Sequence, residues 1–434
     1  MKLKLKALTA ACALAAAGQA FAAAPVPGDT PALTFFLSGS SAQFDTLQAL
    51  ADALFQAGNI THITDQATGS AVGSNYRAYF GLSQNAIGTL PAGSKILIID
   101  RGSGGSYQGV GPLARAQSIT TMLVNSGCSS ITGTTYPTPT YRCTGTTSLV
   151  PDLGVSDEEP TLFTGVNLGA GQTALSPSEL GSITINPEFQ VVIGVPLTNT
   201  LYSQLVSARG SANLTRAEIA GLLDGTIQDW SDLGLPAGPV TVETRAAGSG
   251  TKAASNAFFL NAPCSSDGTS YAAAQGTKGS TYTVVENGSS GAVQSSLDAD
   301  EAHVPPYRAI GVLGIEYTPT GHSYKWAQID GASAGSTSFD KTDAISGKYA
   351  YFVTQSIQYR SNATGNQLAM INAFINAATD PHNVIGTVDG ILLDPYISGS
   401  YIGDVTYGAY VTAGTRFGRT CSPLQLQEGV QSSF

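Results

Sequence analysis

Charged residues are scarce in this chain of 434 residues, and basic residues are the scarcer kind. Asp, Glu, Lys and Arg make up 12% of the sequence, with 20 basic residues against 30 acidic ones. Nucleic acids and anionic membrane surfaces are recognised by basic patches, so this composition disfavours both as partners. A small anion is not excluded, because a local group of donors can be positive within an acidic protein.

Several catalytic and metal-binding signatures are missing as well. The cysteines form no CxxC pair, no HExxH motif occurs, and the four histidines are scattered along the chain: His62, His303, His322 and His382. We therefore predict no metal site, no cofactor and no redox centre. Lys252 follows a Gly-Ser-Gly-Thr run, but without the spacing of a Walker A loop. Beyond the N-terminus no apolar run is long enough to cross a bilayer, so we expect no membrane insertion.

The N-terminus is the exception to the shortage of long apolar runs. Residues 1–22 contain three lysines followed by an alanine-rich run, and Ala20-Phe21-Ala22 supplies a small-x-small cleavage pattern. This pattern predicts a secretory signal peptide that is cleaved near Ala22, and hence a periplasmic or secreted protein. Loss of the three lysines leaves 17 of the 20 basic residues against 30 acidic ones, a net charge of −13.

Four cysteines follow the predicted cleavage site: Cys128, Cys143, Cys264 and Cys421. In an oxidising compartment this even count predicts two structural disulfides, for which three connectivities exist. A bond between Cys128 and Cys143 would close a short polar loop and leave Cys264 for Cys421. The spacing alone does not decide between the connectivities.

Apolar β-like runs alternate with helical patterns along the chain, which predicts an α/β fold with mixed sheets and helices on both faces. Two apolar runs, 189–195 and 309–317, are interpreted as strands that cross between two lobes. We expect one discontinuous lobe, 25–192 plus 313–434, and a second lobe, 193–312. A ligand cleft would then lie between the lobes, at the carboxyl ends of the strands. A further helix is predicted near 76–80.

Three segments share a strand, a loop of small residues and the start of a helix: 37–44, 99–106 and 244–251. Such a junction presents hydroxyls and unpaired N–H groups to an anion, and the last two junctions also carry Arg101 and Arg245. Asp157 ends another β-like stretch. Donors combined with one carboxylate favour a protonated oxyanion such as phosphate over sulfate, if these residues meet. The alternative is that Asp157 is a capping or solvent-facing acid.

The 245–251 segment, RAAGSGT, resembles the R-x-x-G-S-G-T phosphate loop of the phosphate-binding proteins of bacterial ABC transporters, the PstS family, and of the related DING proteins. Three more segments, 37–44, 154–157 and 218–230, resemble segments of the family and follow one another in the order in which they occur there. The resemblance implies a periplasmic-binding-protein type II fold. The family's second serine loop could correspond to 102–106 or to 69–74, and we prefer 102–106 because a stronger strand precedes it. The resemblance implies phosphate-binding roles for eight residues of these segments: Ser40, Ser41, Ser103, Asp157, Arg245, Ser249, Gly250 and Thr251.

The sequence departs from the family at two points. Gln43 stands where the family has a threonine, and a cysteine-bearing insertion lengthens the chain before Asp157. Together, sequence and resemblance predict a monomeric, non-enzymatic solute-binding protein that captures phosphate or a related oxyanion for an ABC permease. One alternative is a secreted surface or scaffold protein that retains this fold. Another is a serine hydrolase that uses Ser333 of the G-x-S-x-G motif, with His382 as the histidine that follows it.

Overall fold

The computed structural model describes residues 23–65, 75–135, 137–335, 341–388, 390–395, 406–422 and 424–426. Its strands, in chain order, are β1 Leu33–Gly39, β2 Phe55–Thr64, β3 Tyr76–Ser83, β4 Lys95–Arg101, β5 Ile119–Met122, β6 Ser129–Ser130, β7 Tyr141–Arg142, β8 Thr146–Leu149, β9 Leu153–Ser156, β10 Ile183–Gly194, β11 Pro196–Thr198, β12 Asn213–Leu214, β13 Thr241–Arg245, β14 Thr283–Asn287, β15 Ala309–Gly311, β16 Leu313–Gly314, β17 Tyr324–Trp326, β18 Gln328–Ile329, β19 Ala332–Ser333, β20 Phe352–Arg360, β21 Ile391–Leu392, β22 Gly414–Thr415 and β23 Gln425–Leu426.

The α-helices are α1 Phe44–Leu54, α2 Gly111–Ala114, α3 Pro177–Leu180, α4 Asn199–Arg209, α5 Arg216–Asp224, α6 Gly250–Leu260, α7 Ser290–Ala302, α8 Thr342–Ile345 and α9 Gly365–Thr379. Short 3-10 turns precede two of them, at Ser41–Gln43 and Ser106–Gly109. Among the described residues, no helix is both long and apolar enough to span a bilayer. The predicted signal peptide, 1–22, lies outside the described residues.

The first and larger sheet has the strand order β16-β10-β20-β9-β1-β4-β3-β2-β7-β6, with β21 paired to β10. At its centre β1 runs parallel to both β4 and β9, and Ser38 is level with Arg101 and Gly154. The carboxyl ends of these three strands therefore lie at one edge of the sheet. The loops that follow them begin at 40, 102 and 157.

The second sheet has the order β14-β13-β15-β11-β17. Its strand β13 lies between β14 and β15 and is parallel to both, and Arg245 is level with Asn287. The loops after β13 and β14 therefore leave the sheet side by side. Each of them leads directly into a helix, α6 or α7.

The chain passes between the two sheets at two buried valines. Val195 joins β10 to β11, and Val312 joins β15 to β16. The apolar runs at 189–195 and 309–317 thus connect the sheets, as the sequence predicted. β17 lies beyond Val312 but pairs with β11 in the second sheet. The proposed lobe bounds, 25–192 plus 313–434 and 193–312, therefore remain a prediction, because β17 belongs to the second sheet but lies outside 193–312.

Local signals in the sequence position several helices correctly. Thr215 caps α5 and Ser176 caps α3, each through a reciprocal capping box with the glutamate three residues later. The predicted helix near 76–80 is wrong, because these residues belong to β3. That strand pairs with β2 on one side and β4 on the other, and burial of both faces removes the alternation that would have identified it.

Two disulfides form in the arrangement that closes the shortest loop. Cys128 bonds to Cys143, and Cys264 bonds to Cys421 across a sequence separation of 157 residues. The second bond ties the segment after α6 to the segment after β22. In the chain-entropy account, closing a loop of this length stabilises the folded state by about 5 kcal/mol.

Candidate functional site

The ends of the two sheets face one another across a buried cluster of polar side chains. Loops from the first sheet bring Ser41, Ser106 and Asp157, and loops from the second sheet bring Arg245 and Thr251. All five residues are buried. Parallel strands place the loops at their carboxyl ends on one edge, so residues far apart in sequence converge here.

Arg245 is the cation of the cluster. It is 3% exposed and donates from Nη1 to Ser41 Oγ at 3.1 Å and to Ser290 Oγ at 2.8 Å. Nη2 donates to the carbonyl of Gly288 at 3.2 Å, and the buried Nε has no hydrogen-bond partner among the residues that the structure describes. Burial lowers the pKa of Arg245 from its usual value. A buried donor without an acceptor is costly, so this guanidinium is suited to an additional anionic acceptor.

Asp157 is the carboxylate of the cluster and is 2% exposed. Its Oδ1 accepts from Gln355 Nε2 at 2.9 Å. Its Oδ2 accepts from Thr251 Oγ1 at 3.3 Å and from Ser106 Oγ at 3.4 Å. Burial raises the pKa of Asp157, and hydrogen bonds from Ser40 and Gln355 oppose that rise.

Arg245 and Asp157 influence each other without forming a direct ion pair. Each shifts the pKa of the other towards its charged form, yet within the described residues no oxygen of Asp157 comes within 4.0 Å of an Arg245 nitrogen. The hydroxyls of Ser41, Ser106 and Thr251 accompany the two charges. A ligand that accepts hydrogen bonds from an arginine while donating one to a carboxylate matches this arrangement.

The start of α6 forms one wall of the cluster. Ser249 caps the helix, accepting from Lys252 N at 3.4 Å, and Gly250 is its first residue. A Cβ on Gly250 would lie 2.7 Å from Asp157 Cβ and would also collide with Ser106 Oγ. Only glycine therefore permits the helix to approach this closely. The unpaired N–H groups and the dipole of the first turn favour a negative charge at this position.

A second helix start, which the sequence analysis missed, lies beside the first. α7 begins at Ser290, whose hydroxyl accepts from Arg245, and Ser289 caps the helix through Ala292 N at 3.2 Å. Residues 283–290 read TVVENGSS, which is a fourth strand, small loop and helix start.

The structure does not bring all predicted residues into the cluster. Arg101 donates from Nε to the carbonyl of Ser103 at 3.1 Å and from Nη1 to the carbonyl of Thr120 at 2.9 Å. It thus holds its own loop instead of facing Arg245. Of the serines in the 102–106 loop, Ser106 bonds to Asp157, and Ser103 is only partly buried.

Ser333 shows no sign of being a nucleophile in the described part of the chain. Its hydroxyl accepts from Gly335 N at 3.1 Å, and its backbone N–H donates to Asp343 Oδ2 at 2.8 Å. His382 instead bonds to Asp380 at 2.6 Å.

Comparison with known proteins gives the family of the central segment. Residues 190–380 match the family model of the PBP superfamily domain. This segment is similar to a PBP superfamily domain. The domain includes Arg245, Thr251, Ser290 and Gln355, and its match confirms the predicted periplasmic-binding-protein fold class. A comparison with curated proteins found no match.

Solved structures resemble the chain over most of its length, at low identity. An ABC-type phosphate transport receptor from Vibrio cholerae shares 16% identity over 83% of this chain and 99% of its own, with a TM-score of 0.44. A phosphate binding protein from Stenotrophomonas maltophilia shares 14% identity over 92% of this chain and 100% of its own, with a TM-score of 0.45.

Proposed function

We propose that this protein is an extracytoplasmic solute-binding protein that captures inorganic phosphate non-covalently at the cluster around Arg245 and Asp157. The observation that carries the proposal is the placement of one buried arginine and one buried carboxylate beside three hydroxyls and a glycine-started helix. Arg245 provides a charge-assisted donor, and its Nε is unused. The first turn of α6 adds backbone donors at Gly250 and Thr251.

Asp157 gives the site its selectivity. An ionised carboxylate accepts a hydrogen bond from the P–O–H group of HPO4(2−) or H2PO4(−), but it repels sulfate, which has no O–H to donate at neutral pH. Arsenate carries protons like those of phosphate, so the site should accept it too. Without Asp157 the remaining donors would bind small oxyanions with little distinction.

The binding step needs no covalent chemistry. The cluster joins loops from both sheets, so a ligand held by Arg245 and Asp157 would favour the state in which the sheets' edges are close. In this proposal an ABC permease recognises that state and receives the phosphate. The two disulfides suit an oxidising compartment, either periplasmic or outside the cell.

Isothermal titration calorimetry on phosphate-free protein tests the proposal with a matched pair of arginine variants. Arg245→Ala removes the charge-assisted donor, and we expect phosphate affinity to fall at least about 100-fold. Arg101→Ala removes an arginine that bonds only to carbonyls of nearby loops, so it should bind phosphate like the wild type. Equal losses in the two variants would contradict the site assignment.

A further inference from the structure

A second cationic cavity lies at the opposite end of α6 from the phosphate site. It has a volume of about 440 Å³, and its wall includes Arg216, Lys348 and Arg416. The only acid among its lining residues is Asp330. Three cations against one carboxylate make this wall positive, although the chain as a whole has a net charge of −10.

The two arginines of this cavity bond to neutral groups. Arg416 is 7% exposed, and it donates from Nη1 to the carbonyl of Ser422 at 2.9 Å and from Nη2 to the carbonyl of Ala350 at 2.7 Å. Arg216 donates to the carbonyl of Phe258. Throughout the described ranges, neither guanidinium has a carboxylate oxygen within the 4.0 Å of an ion pair. Asp330 accepts from the backbone N–H of Arg216 at 3.1 Å, so an acid is near Arg216 without pairing with its guanidinium. Two neighbouring cations that form no direct ion pair repel each other, and a bound anion would offset that repulsion.

The pKa of Arg416 reflects its burial and its closeness to Arg216. Burial and the nearby charge of Arg216 lower the pKa of Arg416 to about 10, against an opposing effect of Glu158. An anion in the cavity would stabilise both guanidinium groups in their charged form. Lys348, whose side chain is 61% exposed, lies at the rim and has Asp343 at 3.4 Å.

Rigid groups hold the two arginines in place. The guanidinium of Arg216 lies 4.2 Å from the ring centre of Phe258, which in turn stacks on Tyr351 at 4.7 Å. The Cys264–Cys421 disulfide ties the chain beyond α6 to the segment that carries Arg416, and Cys421 lines the cavity. The cations are therefore positioned by packing and by a covalent bond, which makes the cavity a formed site.

We propose that this cavity is a second anion site, which binds a small polyanion with two or more adjacent phosphate or carboxylate groups. Two guanidinium groups and one ammonium group match more than one anionic group, and the volume exceeds that of a single tetrahedral oxyanion. The cavity lies at the far end of α6, whose 11 residues give it a length of about 16 Å. It is thus separate from the Arg245 site and does not depend on the proposed phosphate function.

The test is calorimetric titration with inorganic pyrophosphate of the disulfide-bonded protein that carries Arg245→Ala, with Arg245→Gln as a second background. We expect one pyrophosphate to bind in either background. Adding Arg216→Gln should weaken this binding about tenfold, and Lys348→Gln about threefold. Arg308→Gln is the matched control, because Arg308 also donates to a backbone carbonyl, that of Ala237 at 2.9 Å, and lies outside the cavity.

Three results would overturn this proposal. Pyrophosphate could fail to bind at millimolar concentration, or Arg308→Gln could weaken it as much as Arg216→Gln does. Pyrophosphate could also bind equally well in the Arg216→Gln variant and in its background, which would show that it binds elsewhere. None of these results bears on phosphate binding at Arg245, since that site is removed in both backgrounds.

Discussion

Thr251 donates its hydroxyl to Asp157 across 3.3 Å, and these two residues follow strands of different sheets. Thr251 lies in the first turn of α6, after β13 of the second sheet, whereas Asp157 follows β9 of the first. The carboxylate thus meets donors from both sheets at one point. Asp157 would therefore serve two purposes. It would help to hold the edges of the two sheets together, and it would recognise an O–H group on the ligand.

Asp157→Asn should change selectivity more than affinity for anions in general. The amide no longer repels a fully ionised oxyanion and is a weaker acceptor for the proton of phosphate. We expect the ratio of phosphate to sulfate affinity to fall by at least about tenfold, mainly through tighter sulfate binding. Competition titrations with both anions at pH 7.5 measure the ratio. An unchanged ratio would remove Asp157 from the role of selectivity residue.

Ser106 and Ser103 provide a matched comparison within one loop. Ser106 Oγ donates to Asp157 and accepts from the Asp157 backbone N–H at 3.2 Å. Ser106→Ala should therefore weaken phosphate binding about tenfold, the effect of one or two lost hydrogen bonds, and Ser103→Ala should have no effect. Calorimetry on the two variants checks this directly. The reverse order would favour the original assignment of Ser103 from the sequence.

Gln355 should control the pH at which phosphate binding is lost. Its amide donates to Asp157 Oδ1 and so opposes the rise in the pKa of that carboxyl caused by burial. In Gln355→Met the pKa of Asp157 should rise further. Because the proton-accepting form is the carboxylate, affinity falls as pH drops through this pKa, and in the variant the fall should begin at a higher pH.

Gln358→Met is the control for that experiment. Gln358 lies on the same strand, is fully buried, and donates to the carbonyl of Gly109 instead of Asp157. Glu158 and Glu316 are further buried carboxyls near Asp157, and both variants retain them. Identical pH profiles for the two methionine variants would show that Gln355 acts only by packing.

Glu188 predicts a pH dependence of stability that is independent of any ligand. It is 3% exposed, and in the described part of the chain neither carboxylate oxygen has a hydrogen-bond partner. Burial raises its pKa well above 4.5. A raised folded-state pKa contributes stability that is complete below the unfolded value and is lost as pH rises through the folded value. The loss has a slope of about 1.4 kcal/mol per pH unit.

Glu188→Gln should remove this contribution to the pH profile. Urea unfolding at several pH values between 5 and 8 measures the free energy of unfolding, and the variant should lose less stability than the wild type as pH rises. Asp267→Asn, at an exposed position, is the control and should leave the profile unchanged. Parallel wild-type and Glu188→Gln profiles would contradict the assignment of a neutral buried carboxyl at Glu188.

The sequence predicted those parts of the site that rest on local patterns. The loop at Arg245–Thr251 follows a recognisable strand and opens a helix, and Asp157 ends a β-like run, so both could be placed in advance. Ser106 could not, because Gly104 and Gly105 have φ values of +87° and +73° and turn the chain before a 3-10 helix starts. Gln355 lies inside a strand and reaches Asp157 only through the antiparallel pairing of β20 with β9.

Calorimetric titration of the phosphate-free wild-type protein, with phosphate and sulfate in parallel at pH 7.5, tests the central claim most directly. The buried pair of Arg245 and Asp157 predicts one bound phosphate per chain in the micromolar range or tighter. Sulfate should bind at least about 100-fold more weakly, because it has no O–H group to donate to Asp157 and its charge is repelled by the carboxylate. Equal affinity for the two anions, or no phosphate binding at millimolar concentration, would contradict the account.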